Sequence, residues 1–107
     1  MSNSGGSLKD EAIREIAATD LTIDYQDLGG VMTHYACRIW MTNDTNGDVY
    51  VSTDGVTDMK KLPAGSGRAF DDKTNDAFRQ KGTQWQVRFA SVPMSPAGWF
   101  AIEVEYV

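Results

Sequence analysis

Several things are scarce in this sequence, and each scarcity removes a class of function. Cysteine occurs once, as Cys37, so no disulfide can close within the chain. That usage fits a protein made and kept in a reducing cytosol. Histidine also occurs once, as His34, and one imidazole with one thiol cannot supply the multi-Cys/His spacing of a zinc site. Basic charge is short: 10 Lys and Arg stand against 15 Asp and Glu, for a net charge of -5 and a pI near 4.6. With no basic excess to neutralise phosphates, nucleic acid is not expected as a partner. No apolar run approaches the ~20 residues of a membrane helix. The first seven residues lack the basic-then-apolar order of a signal peptide, so no membrane partner is expected either. Ala64, Gly65, Ser66 and Gly67 form the one glycine-rich loop that resembles a phosphate cradle. It lacks the lysine and the following helix that such a cradle requires, and no cofactor is expected.

What is present is the composition of a single small globular domain: 107 residues, 41% hydrophobic and 23% charged. The chain is organised around residues 42–56. Asn43, Asp44, Thr45, Asn46, Gly47 and Asp48 form a turn-rich run whose side chains can bond their own backbone. Val49, Tyr50 and Val51 then suit a pleated, half-buried surface, and Asp54 with Gly55 signals the next turn. Two turns this close, flanked by apolar runs, predict a meander of short antiparallel strands.

Residues 1–7 are small and polar and read as a flexible arm. Over 8–18, Leu8, Ala12, Ile13, Ile16 and Ala17 recur at three- and four-residue spacing. This predicts one short amphipathic helix capped by Ser7, whose apolar stripe docks on this domain or on a neighbouring chain. The predicted organisation is an arm and helix over 1–18 and a β-sandwich over 19–107. Residues 21–25 read as the first strand and 33–42 as the longest. In that long strand Tyr35, Cys37, Ile39 and Met41 are assigned to the core, and His34, Ala36, Arg38 and Trp40 to the outside. Residues 83–89 alternate with Trp85, Val87 and Phe89 inward, and residues 99–107 with Phe100, Ile102, Val104 and Tyr106 on one face. Residues 71–82 read as a polar segment anchored by Phe78. The fold class that follows is all-β: a small antiparallel sandwich of jelly-roll-like form, with the arm and helix in front.

Candidate chemistry is thin. Asp44, Asn46 and Asp48 invite a calcium reading, but the glycine comes too early for an EF-hand and Gly55 falls where the bidentate glutamate belongs. Turn chemistry explains the run better, and no metal is expected. Asp71, Asp72 and Asp76, and separately Asp54 and Asp58, lie close enough in sequence for paired-carboxylate catalysis. They sit in polar turns, where solvation is the default. His34 and Cys37 are an odd number of positions apart and fall on opposite faces of one predicted strand, so no dyad is expected. Trp40 and Trp99 both fall on faces assigned outward, beside Arg38 and Glu103. Exposed aromatics near charge anchor protein interfaces and sugar-stacking surfaces, although each could also lie under another segment.

The run Asn43-Asp44-Thr45-Asn46-Gly47-Asp48-Val49-Tyr50-Val51-Ser52-Thr53-Asp54-Gly55-Val56-Thr57-Asp58 resembles a turn–strand–turn pattern of small virion structural proteins of tailed bacteriophages. Leu62-Pro63-Ala64-Gly65, an aspartate at 71 or 72 near Asn75, Lys81-Gly82-Thr83 and the closing Glu105-Tyr106-Val107 extend the likeness over residues 35–107. The resemblance implies a non-enzymatic capsid decoration, cement or accessory head protein, or a head–tail or fibre component. It would be made in the host cytoplasm and carried in the virion. Its partners would be the major capsid protein and further copies of itself, as a dimer or trimer. Leu8, Ile13 and Ile16 on the helix, with Trp40 and Trp99 on the sheet, are the contact residues this reading selects. The alternative is a carbohydrate- or receptor-binding sandwich that stacks sugars on Trp40, Trp99 or Tyr50.

Overall fold

A computed structural model describes residues 8–70 and 80–107. Two antiparallel sheets face each other. The strands are β1 (Lys9–Asp10), β2 (Arg14–Ala17), β3 (Gln26–Asp27), β4 (Arg38–Thr45), β5 (Val49–Ser52), β6 (Lys60–Leu62), β7 (Ser66–Phe70), β8 (Gln86–Phe89) and β9 (Gly98–Tyr106). One sheet runs β1–β9–β4–β7, with β2 also paired to β9, and the other runs β3–β8–β5–β6. Every pairing is antiparallel. Most connections cross from one sheet to the other, so the chain wraps the core rather than laying down hairpins side by side.

The core lies between the sheets. Ile39 and Met41 of β4, Phe100 and Ile102 of β9, Val49 and Val51 of β5, and Val87 and Phe89 of β8 all have no exposed surface. Trp85, Leu28 and Met32 fill the end of the sandwich near the β3–β4 connection, where the Trp85 indole N–H donates to the Met32 sulfur at 3.2 Å. A polar knot closes the β4–β5 corner. The buried Asn43 amide donates to the carbonyls of Gly47 and Leu62, and its oxygen accepts from the Thr45 N–H and hydroxyl. The turn-rich run around Asn46 is therefore ordered by internal hydrogen bonds, as its composition predicts.

The N-terminal segment departs from expectation. No helix forms over 8–18; β1 and β2 pair with β9, followed by a single 3-10 turn at Ala18–Asp20. Asp10 lies opposite Glu105, yet Arg14 lies opposite Ile102, so three residues, Glu11, Ala12 and Ile13, face two on β9. This one-residue β-bulge breaks the two-residue period. A strand re-phased in this way shows apolar spacing that imitates a helix, and strand pairing overrides the local helical preference. Ile16 turns inward opposite Phe100 and packs on the core instead of lying on an exposed stripe.

Two further expectations shift. No strand forms over 21–25, because the Thr22 hydroxyl bonds both the N–H and the C=O of Asp24 and turns the chain before β3. The long strand starts at Arg38 rather than at residue 33. Ahead of it the alternation fails: Ala36 is buried while Tyr35 is 49% exposed, and Cys37 is only half-buried. From Arg38 to Thr45 the predicted parity holds, as it does for Trp85, Val87 and Phe89 and for Phe100, Ile102 and Val104. The reading of 71–82 falls mostly outside the described residues.

Candidate functional site

Parity sets the outer face of the five-stranded sheet. Along β4, Ile39, Met41, Asn43 and Thr45 point into the sandwich, and Arg38, Trp40, Thr42 and Asp44 point out. β9 pairs with β4 from Arg38–Glu105 to Thr45–Gly98. This register places Trp40 opposite Glu103 and Asp44 opposite Trp99. Directly opposed residues on one face hold their Cβ atoms about 5 Å apart, so each outward tryptophan has a carboxylate as its cross-strand neighbour. Trp40 is 43% exposed and Trp99 53%. Between them Thr42, Ala101 and Gly67 form a floor of small residues in adjacent strands.

Gly98 pins this arrangement. Its φ is +89°, and a Cβ there would come within 1.9 Å of the Asp44 carbonyl oxygen. Only glycine lets β9 enter the sheet with Trp99 alongside Asp44.

The two tryptophan–carboxylate pairs differ. The Arg38 guanidinium lies 5.9 Å from the Trp40 ring centroid and 3.7 Å from Glu105 Oε1. Among the described residues no cation lies over Trp99, and no donor reaches the Asp44 carboxylate. The sequence reading selected both tryptophans. It missed Asp44 as a partner of Trp99, because only the β4–β9 register brings them together.

The bulged edge carries a second cluster. Glu11, 6% exposed, accepts from Arg14 Nη2 at 2.7 Å, from the Thr33 N–H at 3.1 Å and from the Thr33 hydroxyl at 3.2 Å, with His34 Nδ1 at 2.9 Å. Burial pushes the Glu11 carboxyl up. The hydrogen bonds from Arg14 and His34 and the Arg14 charge outweigh it and hold the carboxyl below its ordinary value. Arg14 also donates to the carbonyls of Gly30 and Val31, and His34 stacks on Tyr106 at 3.5 Å. A cleft of about 350 Å³ opens here, lined by Ile13, Val31, Gly30 and these polar groups. Its carboxylate is engaged by internal donors, and the Thr33 hydroxyl beside His34, 3.0 Å from Nδ1, is itself bonded to Glu11. The Cys37 thiol donates instead to the Glu105 carbonyl at 3.4 Å. Ile13 and Leu8, 59% and 48% exposed, lie at this edge and not with the tryptophans.

The outer face of the four-stranded sheet uses similar ingredients differently. Arg88 lies opposite Tyr50, with its guanidinium 4.7 Å from that ring and 5.5 Å from the Tyr25 ring. It makes two bonds to the Asp58 carboxylate, at 3.2 and 2.8 Å, and the Tyr25 hydroxyl donates to the same group. Burial and then Asp58 push the Tyr25 phenol up to about 12, and the bonds from Arg88 and Tyr25 hold Asp58 below its ordinary value. Tyr50 therefore has Arg88 over its ring rather than an open stacking face.

The remaining acidic candidates do not converge. Asp44 points outward; Asn46 exchanges hydrogen bonds with Ala97 and Ser95; Asp48 accepts from the Ala64 N–H. Asp54 accepts from Ser52, Val56 and Thr57, and the Thr57 and Val56 N–H bonds hold it well below the usual carboxylate range. Asp71, Asp72 and Asp76 lie outside the described residues. Among the described residues no group of three His, Cys, Asp or Glu is placed to hold a metal ion. No helix among them is long and apolar enough to cross a membrane. No protein-family model, curated protein or solved structure matches this chain.

Proposed function

We propose that this chain is a non-enzymatic structural protein of a tailed-bacteriophage virion, a capsid decoration or cement protein built on a jelly-roll-like sandwich. The observation that carries the reading is the strand order. With β1 and β2 counted as one strand interrupted by its bulge, one sheet runs first–eighth–third–sixth and the other second–seventh–fourth–fifth. That order supports a jelly-roll reading, an architecture used by viral capsid and lectin domains. The motif likeness over residues 35–107 supports the same reading from the sequence side.

In this proposal the protein acts by docking on major capsid subunits and on copies of itself, as a dimer or trimer, through side chains on its outside. Trp40 and Trp99 are the first contact residues, with Leu8 and Ile13 at the bulged edge. Ile16 leaves the set because it packs on the core. The acid–base groups support a non-catalytic role, since Glu11, Asp54 and Asp58 are each occupied by internal donors.

The test is particle association. Co-expressed with the capsid genes of the phage that encodes it, the protein should co-sediment with heads at stoichiometric copy number. Trp40→Ala with Trp99→Ala should abolish that loading while leaving the fold intact. Absence of the protein from purified particles would overturn the proposal. The lectin-type alternative rests on the exposed Trp99 beside Asp44. It would be favoured by saturable binding to a glycan array that is lost in Trp99→Ala.

A further inference from the structure

We infer that the outer face of the five-stranded sheet is an acceptor for a basic polypeptide segment of the partner, and that Trp99 with Asp44 forms the seat for an arginine or lysine side chain. The inference rests on the docking reading above in one respect, that this face is the docking surface. It goes beyond that reading in fixing the chemistry of what docks.

Three observations carry it. The first is the charge of the face. Asp10, Glu15, Asp44, Glu103 and Glu105 share the outward side with Arg38 as the cation of β1, β2, β4 and β9. A second copy presenting the same face would meet like charge, and an anionic lipid surface would be repelled, whereas a cationic segment is complementary. The second is geometry: an aromatic ring with a carboxylate directly across the strand pair offers a cation both a π face and an ion-pair partner. The third is that two arginines of this molecule each lie against both an outward aromatic ring and a carboxylate. Arg38 lies over Trp40 and beside Glu105, and Arg88 lies between Tyr50 and Tyr25 and on Asp58. Trp99 and Asp44 form the same kind of pair with no internal cation among the described residues.

The spacing narrows the ligand further. Trp40 and Trp99 are separated by four residues along the β4–β9 ladder and by one strand across it, roughly 14 Å. An extended segment lying along the ladder spans that distance in four residues. Basic side chains at i and i+4 would reach both ends of the face, one at Trp99–Asp44 and the other at Glu103 beside Trp40. The floor of Thr42, Ala101 and Gly67 leaves room for the segment's backbone between the two rings.

Nuclear magnetic resonance on the full chain tests this directly, because the chain's three tryptophans give three indole N–H signals. Trp85 is buried and serves as the internal control. The probe is an acetylated, amidated Gly-Ser-Arg-Ser-Gly-Ser-Arg-Ser-Gly peptide, with glutamate in place of both arginines as the comparison. The expected result is a saturable shift of the Trp99 signal with the arginine peptide, a smaller one at Trp40 and none at Trp85. Affinity should fall at least fivefold in Asp44→Asn and at least fivefold between 50 and 300 mM salt, an order-of-magnitude expectation for a screened charge pair. No shift at Trp99, equal shifts with the glutamate peptide, or unchanged affinity in Asp44→Asn would each overturn the inference. A Trp99 shift with neutral oligosaccharides but not with the arginine peptide would also overturn it, in favour of sugar stacking. Particle loading separates this failure from failure of the docking reading. Loading lost in Trp99→Ala but kept in Asp44→Asn leaves docking standing and removes the basic segment.

Discussion

The two outer faces of this sandwich are built from the same kinds of side chain and reach opposite ends. On the four-stranded sheet, a guanidinium, two phenol rings and a carboxylate close on one another: Arg88, Tyr25, Tyr50 and Asp58. On the five-stranded sheet, two indoles and a larger set of carboxylates are served, among the described residues, by a single guanidinium, that of Arg38. The first face is finished within the molecule, so its charge stabilises the fold and leaves little to offer outside. The second is unfinished, and Trp99 with Asp44 is where it is most open. Exposed aromatics therefore carry different meanings according to whether a cation already covers them, and side-chain identity alone does not reveal which.

Five experiments would break or sharpen that contrast. The largest effects are expected from Gly98, which holds the open face in register, and from Trp85 in the core. Gly98→Ala forces a Cβ against the Asp44 carbonyl at a positive φ and should lower unfolding free energy by about 3 kcal/mol or more in urea denaturation. Trp85→Ala should cost about 3–5 kcal/mol by the same measurement, whereas Trp99→Ala should leave the midpoint nearly unchanged. A large loss in Trp99→Ala would mean that the open face is structural after all.

Next comes the bulged edge. Glu11→Gln should cost about 1–3 kcal/mol at pH 7, because Arg14 loses its charged partner in a buried setting. The folded Glu11 carboxyl sits below its ordinary value of 4.5. Its contribution is therefore complete above that value and is lost as pH falls through the lower folded one, so wild type and variant should converge in acid. A gap that stays constant down to pH 3 would count against the ion pair.

Smaller still, Asp58→Asn should lower the thermal midpoint while Asp44→Asn leaves it unchanged, since the first breaks a closed network and the second breaks nothing internal. The smallest effect is spectroscopic. Tyr25 should ionise near 12 in an alkaline absorbance titration. The raised value means that the neutral phenol favours the fold below the unfolded tyrosine value, about 10, and that this support fades as pH climbs towards 12. Asp58→Asn should bring the ionisation of Tyr25 earlier.

Much of the fold was legible in the chain because period-two alternation is a local signal. Arg38 through Thr45, Trp85 through Phe89 and the strand ending at Tyr106 each display it. The N-terminal segment was misread for a physical reason. A single extra residue at Glu11–Ile13 shifts the phase of a strand and leaves apolar residues three and four apart, as a helix does. Nothing within residues 8–18 reveals that β9 waits 90 residues away to pair with them. The outward tryptophans were legible for the same local reason. Asp44 as the neighbour of Trp99, and Glu11 as the partner of His34, were not, since each depends on a pairing between distant parts of the sequence.

Among the described strands β7 forms one margin of the larger sheet, and this margin bears on how a second copy could add to it. Arg68 on β7 lies opposite Met41, on the inward side, and its guanidinium caps the Phe70 ring at 5.2 Å; Lys60 caps the same ring at 5.1 Å. A neighbouring strand annealing there would have to bury that inward-facing charge, the device by which natural sheets discourage lateral growth. Extension of the sheet along this rim is thereby penalised, which steers any contact between copies towards one surface laid upon another rather than ribbons.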